Sequence, residues 1–134
     1  MDTVYTTTGS CSFLEAFGNV TSSKCEGRVV SFVWTDRRVS FSFATVDGVD
    51  TVTFSGDGNK QNHQGNDTIV QPVDSIFDSA ASKSSTFAAT GTCKFPSVAN
   101  GAASIVCEAE TPSGKFSARF MSNGEPPTVK SAGQ

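Results

Sequence analysis

Leucine is nearly missing from this chain: Leu14 is the only one among 134 residues. Lys and Glu are scarce too, so strong helix formers are in short supply and a helix bundle is set aside. Histidine is represented by His63 alone, too little for a transition-metal site built on imidazole pairs. No apolar run approaches the roughly 18 residues of a membrane-crossing helix. Charge of either sign never gathers into a block. The formal net charge is −3 with acids and bases interspersed, which speaks against a nucleic-acid partner.

What the chain has instead is phenylalanine, valine, serine and threonine. It carries 11 Phe, and Ser plus Thr make up about a quarter of the residues. β-branched and aromatic side chains fit a pleated sheet. The length suits a single domain with its own core.

Four cysteines stand in two copies of one pattern. Cys11 and Cys25, like Cys93 and Cys107, are spaced C-x13-C, and Glu follows the second cysteine in both copies. Midway between the sulfurs lie Phe17-Gly18-Asn19 and Ala99-Asn100-Gly101, turn residues suited to three-residue hairpin loops. The expectation is two β-hairpins, each closed by its own disulfide. Phe13 would then oppose Ser23, and Phe95 would oppose Ile105. Alternation places Gly9, Cys11 and Phe13 on the core side. Each bridge closes a loop of about 15 residues, worth on the order of 3 kcal/mol in the chain-entropy treatment. Four cysteines allow other pairings. A zinc site would want closer cysteine pairs, and no neighbouring His lowers a thiol pKa for catalysis.

Disulfides point to an oxidising compartment, so a secreted or periplasmic protein is expected. Met1 to Tyr5 show neither the basic nor the apolar stretch of a secretory leader, so Met1 is read as standing before a mature N-terminus. The alternative is a cytosolic chain with four thiols.

Strand signals recur along the chain. Val30, Phe32 and Trp34 alternate, Thr35 to Arg38 turn, and Val39, Phe41 and Phe43 return; these two sets are expected to face inward, with Ser31, Ser40 and Ser42 outside. Turns are expected at 46–49 and 111–114. Val52 and Phe54 read as an inward-facing strand pair. Gly56 to Asp67 is a polar stretch without a period. Pro72 confines its strand to an edge or a bulge, and Ser79 to Ser85 reads as a small-residue connector. The fold class is therefore all-β: a single-domain antiparallel barrel or sandwich of about eight to ten short strands, with two intra-hairpin disulfides and two related halves. The domain spans 1–124, the related units are about 7–43 and 89–120, and 125–134 reads as a flexible tail. Phe and Val are expected to fill the interior and leave little room for a ligand.

No catalytic constellation emerges, so an enzyme is not expected, nor a cofactor or metal. His63 sits among amides rather than in a buried triad. Asp47 with Asp50, and Glu108 with Glu110, lack a predicted cleft between them. Asp57-Gly58-Asn59 with Asp67 lacks the calcium-loop order. Asn19 and Asn66 match the N-glycosylation pattern. Candidate binding residues are Asn59, Lys60, Asn62 and His63 on the polar stretch, because long loops on rigid scaffolds carry binding. Trp34, Arg37 and Arg38 join them as a stacking platform and interface anchors beside a turn.

The segment Cys11…Gly18-Asn19-Val20-Thr21…Cys25-Glu26 resembles the stapled hairpin of cyanovirin-type lectins. The resemblance covers about 15 residues per copy and does not extend through the middle of the chain, so no sugar site is transferred. The functional expectation is a non-enzymatic binding module that holds a protein partner through loops. The alternatives are a glycan-binding domain or a structural surface protein. A carrier of a small apolar ligand would need a cavity of at least about 300 Å³.

Overall fold

A computed structural model describes residues 2–22, 25–45, 50–65, 67–80, 83–96, 103–125 and 127–132. The turns expected at 46–49 and around Asn100 lie outside these residues, as do Ser23 and Asn66.

The chain is nearly all strand: β1 (Asp2–Ala16), β2 (Asn19–Ser22), β3 (Arg28–Val33), β4 (Arg38–Ala44), β5 (Asp50–Asp57), β6 (Asn62–Gln64), β7 (Thr68–Ala80), β8 (Lys83–Pro96), β9 (Ser104–Thr111), β10 (Gly114–Ser122) and β11 (Thr128–Ala132). Eight of them close into an antiparallel barrel in the order β1, β3, β4, β5, β7, β8, β9, β10 and back to β1. Closure leaves the barrel wall no free edge. The remaining strands are additions: β2 pairs β1, β6 pairs β7 and β11 pairs β1.

β1 organises the whole. Along one side it meets β2, then Cys25, then β3, with Leu14 opposite Ser22, Cys11 opposite Cys25, and Thr8 to Thr3 opposite Arg28 to Val33. One pairing offset holds from Ser22 to Val33, so the disulfide hairpin and β3 form a single long hairpin. Along its other side β1 meets β10 and then β11. Residues 128–132, in the segment that composition marks as a tail, are thereby bound as a strand.

Both disulfides form as expected, Cys11 to Cys25 and Cys93 to Cys107. The first turn differs in detail. Phe17 and Gly18 alone make it, both at positive φ (55° and 80°), as a two-residue type I′ turn requires. A register shift on β2 then restores the offset that brings Cys25 opposite Cys11. In the second hairpin Cys93 pairs Cys107 and Lys94 pairs Val106, one position short of the expected Phe95–Ile105 pair.

Two bulges correct the expected faces. A register shift between Cys11 and Phe13 turns Leu14 inward and Phe13 outward, where the Arg119 guanidinium lies over its ring. A second shift between Val73 and Ser75 follows Pro72, which has no N–H for a continuous ladder. Gln71 fills that gap: its Nε2 donates to the carbonyls of Asp57 and Pro72, each at 2.9 Å. Gly56 is obligatory beside it, since a Cβ there would lie 1.8 Å from the Pro72 oxygen. The small-residue stretch 79–85 is no connector; Ser79 pairs Ser84 and Ala80 pairs Lys83. The polar stretch 56–67 is also ordered into the end of β5, a 3-10 turn at Gly58–Lys60 and β6.

The filled half of the interior lies toward the Phe17-Gly18 turn. Phe43, Phe54, Phe116, Leu14, Val52 and Ile76 are fully buried there. Each such side chain contributes on the order of 1.5–3 kcal/mol. Both disulfides point into this core, and Phe17 closes its end edge-on against Phe116 and Phe87.

Candidate functional site

An eight-stranded barrel encloses just enough space to be filled by side chains or to hold one small ligand. This one does both. Above the aromatic core, toward the start of β1, the interior opens into a cavity of about 470 Å³. One wall is apolar: Val33, Val39, Phe41, Phe95 and Ile105. Hydroxyls from Tyr5, Thr7, Ser31 and Ser122 also line the cavity, with Ser31 directly beside Phe41. Gln61, Pro96, Glu125 and Pro127 complete the lining.

The cavity exists because of which residues of β3 turn inward. Register pairs Val33 with Val39 and Ser31 with Phe41, while Phe32 faces Ser40 and Val30 faces Ser42. Directly paired residues share a face. Val29, Ser31 and Val33 therefore point inward with Phe43, Phe41 and Val39. Val30, Phe32 and Trp34 point outward with Ser40 and Ser42, so both serines of β4 stand where expected while the faces of β3, Ser31 included, are the reverse of the expectation. Hydrophobicity favours the larger set, but the Cys11–Cys25 register decides otherwise. Cys25 is inward, so every second residue from it is inward too, through Ser31 and Val33. Two large aromatic rings are thus replaced in the interior by a serine and a valine, and the space they leave is the upper cavity. The parity of Cys25 was available in the sequence as the signal that identifies this face.

The candidate residues named from sequence lie outside the cavity. Trp34, 37% exposed, stacks on Phe32 at 5.4 Å with rings 7° apart, on the outer wall. Arg37 adopts φ 70° in the β3–β4 turn, its N–H donating to the Trp34 carbonyl. That turn is tied to the 3-10 turn: the Gly58 N–H donates to the Arg37 carbonyl at 2.8 Å, and Arg37 Nη1 donates to Asn59 Oδ1 at 3.4 Å. Asn59 is further held by Asp57, whose Oδ1 accepts from its backbone and side-chain N–H groups. Arg38 has a structural post, donating to Ser55 Oγ and to the Asp74 carboxylate. Lys60, Asn62 and His63 are exposed. Asn62 and His63 stand opposite Val70 and Ile69 on the β6–β7 hairpin. Gln61, between the two groups, is the residue of this segment that reaches the cavity. Trp34, Arg37 and Asn59 are thus brought near one another, whereas Tyr5, Thr7, Ser31 and Glu125 belong to the cavity and carried no sequence signal of their own.

Electrostatics are quiet. Among the described cavity-lining residues Glu125 is the one carboxylate, at an exposed position. Asp78, buried at the opposite end, has its carboxyl pushed above the ordinary range, by desolvation first and by the charge of Asp50 second. Among the described residues no group of three or more His, Cys, Asp or Glu could hold a metal ion, and no helix is long and apolar enough to cross a membrane. No family model matches this chain, and neither a curated protein nor a solved structure matches it.

Proposed function

We propose that this protein is a non-enzymatic binding module that holds one small, largely apolar molecule in the upper half of its barrel. The observation that carries the reading is the cavity of about 470 Å³, within the size range of small-molecule sites. Its construction supports it as well: apolar side chains supply burial, a few hydroxyls supply orientation, and among the described lining residues no acidic and basic side chains pair across it. Two disulfides inside the core support residence in an oxidising compartment, secreted or periplasmic.

Titration with the uncharged dye N-phenyl-1-naphthylamine tests this. A saturable fluorescence rise at one site per chain is expected, and Ser31→Phe, which projects a ring into the cavity, abolishes it while the protein stays folded by circular dichroism. A signal that does not saturate, or one indifferent to Ser31→Phe, overturns the reading. A second reading, a protein partner held on the outer wall, is favoured by the exposed Trp34 ring stacked on Phe32 beside Arg37. Trp34→Ala separates the two, since it removes that platform and leaves the cavity lining untouched.

A further inference from the structure

We infer that the molecule held in the cavity is an uncharged amphipath, with its polar group on the hydroxyls of Tyr5, Thr7 and Ser31, and that carboxylate-bearing ligands are rejected. This rests on the cavity reading above and specifies its ligand.

The first ground is the hydroxyl wall. Tyr5 stands directly opposite Ser31 in the β1–β3 ladder, and Thr7 follows two residues along the same inward face, opposite Val29. The Cβ atoms of direct and diagonal neighbours of this kind lie within roughly 5–8 Å of each other, so the three side chains border one region of the cavity. None of the three hydroxyls has a hydrogen-bond partner among the described residues, whereas Ser122 Oγ already accepts the Ala103 N–H at 2.9 Å. Half-buried hydroxyls without partners among the described residues, grouped on neighbouring strands and bordered by apolar side chains, suit a ligand that has a hydrogen-bonding end and a hydrocarbon body.

The second ground is charge. Among the described residues no Lys, Arg or His lines the cavity. A carboxylate drawn in would lose water without gaining a counter-ion, and it would pass Glu125 at the rim. An ammonium gains little from Glu125, whose exposed position keeps it screened by water.

Displacement of N-phenyl-1-naphthylamine by 1-octanol, octanoate and octylamine at pH 8 tests the inference, in the native protein and in Tyr5→Phe/Thr7→Val/Ser31→Ala. Octanol is expected to compete at least about 10-fold better than octanoate, and the triple substitution to weaken octanol by roughly 10-fold, the scale of one or two hydrogen bonds, once each protein's own dye affinity is taken into the competition. If the dye binds but octanoate or octylamine matches or exceeds octanol, or the triple variant leaves octanol unaffected, the assignment of an uncharged, hydroxyl-held ligand is overturned while the cavity reading stands. If the dye itself does not bind, both fall.

Discussion

Asp78 is the side chain at which burial and charge conflict most openly. It faces inward on β7, opposite Ser85 and beside Val52, with Asp50 of β5 one position away on the same face. Its carboxyl is buried and raised from the ordinary value of 3.8, first by lost solvation and then by Asp50. A carboxyl whose folded pKa exceeds its unfolded one binds its proton more tightly in the native state. The native state therefore gains relative stability as pH falls through the raised value toward 3.8, and burying this carboxyl beside Asp50 is a cost above it. Asp78→Asn is expected to be more stable than the native protein at pH 7, and the difference is expected to vanish near the ordinary carboxylate value. Urea midpoints at pH 7 and pH 4 read this directly; an equal advantage at both would mean that the charge is not the cause. Gln71 shows the opposite balance. It is as deeply buried, yet its amide nitrogen donates to the carbonyls of Asp57 and Pro72, while its Oε1 has no partner among the described residues.

Elements were legible where two independent signals agreed. The cysteine spacing and the Gly18 turn together gave the first hairpin, its disulfide and its register, although the loop has two residues and a compensating bulge rather than three. Where a single signal spoke, it misled. Val30, Phe32 and Trp34 looked like a core face by hydrophobicity alone, but covalent register outranks hydrophobicity on a strand whose two faces are both partly apolar. The polar stretch hid β6 because a short exposed strand needs no apolar alternation. The cavity follows from the same reversal of the β3 face: Ser31, which hydrophobicity assigns to the outer surface, stands in the interior where a ring would have filled the space. Phe17 shows an element decided by competing terms. A non-glycine residue at φ 55° carries a backbone cost of roughly 1–2 kcal/mol, which Asn tolerates better. Its ring meets Phe116 at 4.8 Å and Phe87 at 5.5 Å, each edge contact worth about 0.5–1.5 kcal/mol beyond the area buried. Packing wins, so Phe17→Asn, which improves the turn and removes both contacts, is expected to destabilise by about 1–2 kcal/mol in a denaturant titration. A more stable variant would show that the aromatic closure contributes less than the turn strain.

At the scale of the whole molecule the barrel is two materials in one wall. Its lower half is packed with Phe43, Phe54, Phe116 and both disulfides, and its upper half is left open over Ser31, Thr7 and Val33. A barrel selected for stability alone would fill that upper half, since burying a large apolar side chain contributes about 1.5–3 kcal/mol. Filling it is sterically simple. Ser31 faces about 470 Å³ of space, its hydroxyl makes no bond among the described residues that substitution would break, and its direct neighbours Tyr5 and Phe41 lie ready to pack against a ring. Ser31→Phe is therefore expected to stabilise the fold by about 1–2 kcal/mol, less than full burial because the cavity is open on one side. At this chain length that corresponds to a rise in Tm of roughly 3–8 °C, measurable by calorimetry. The same substitution is expected to end binding of the uncharged dye. Stability gained and binding lost together are the signature of a space kept open for a ligand. A Ser31→Phe protein that is markedly less stable would instead mean that the upper half is already packed around its hydroxyl wall, and the cavity would lose its standing as a site.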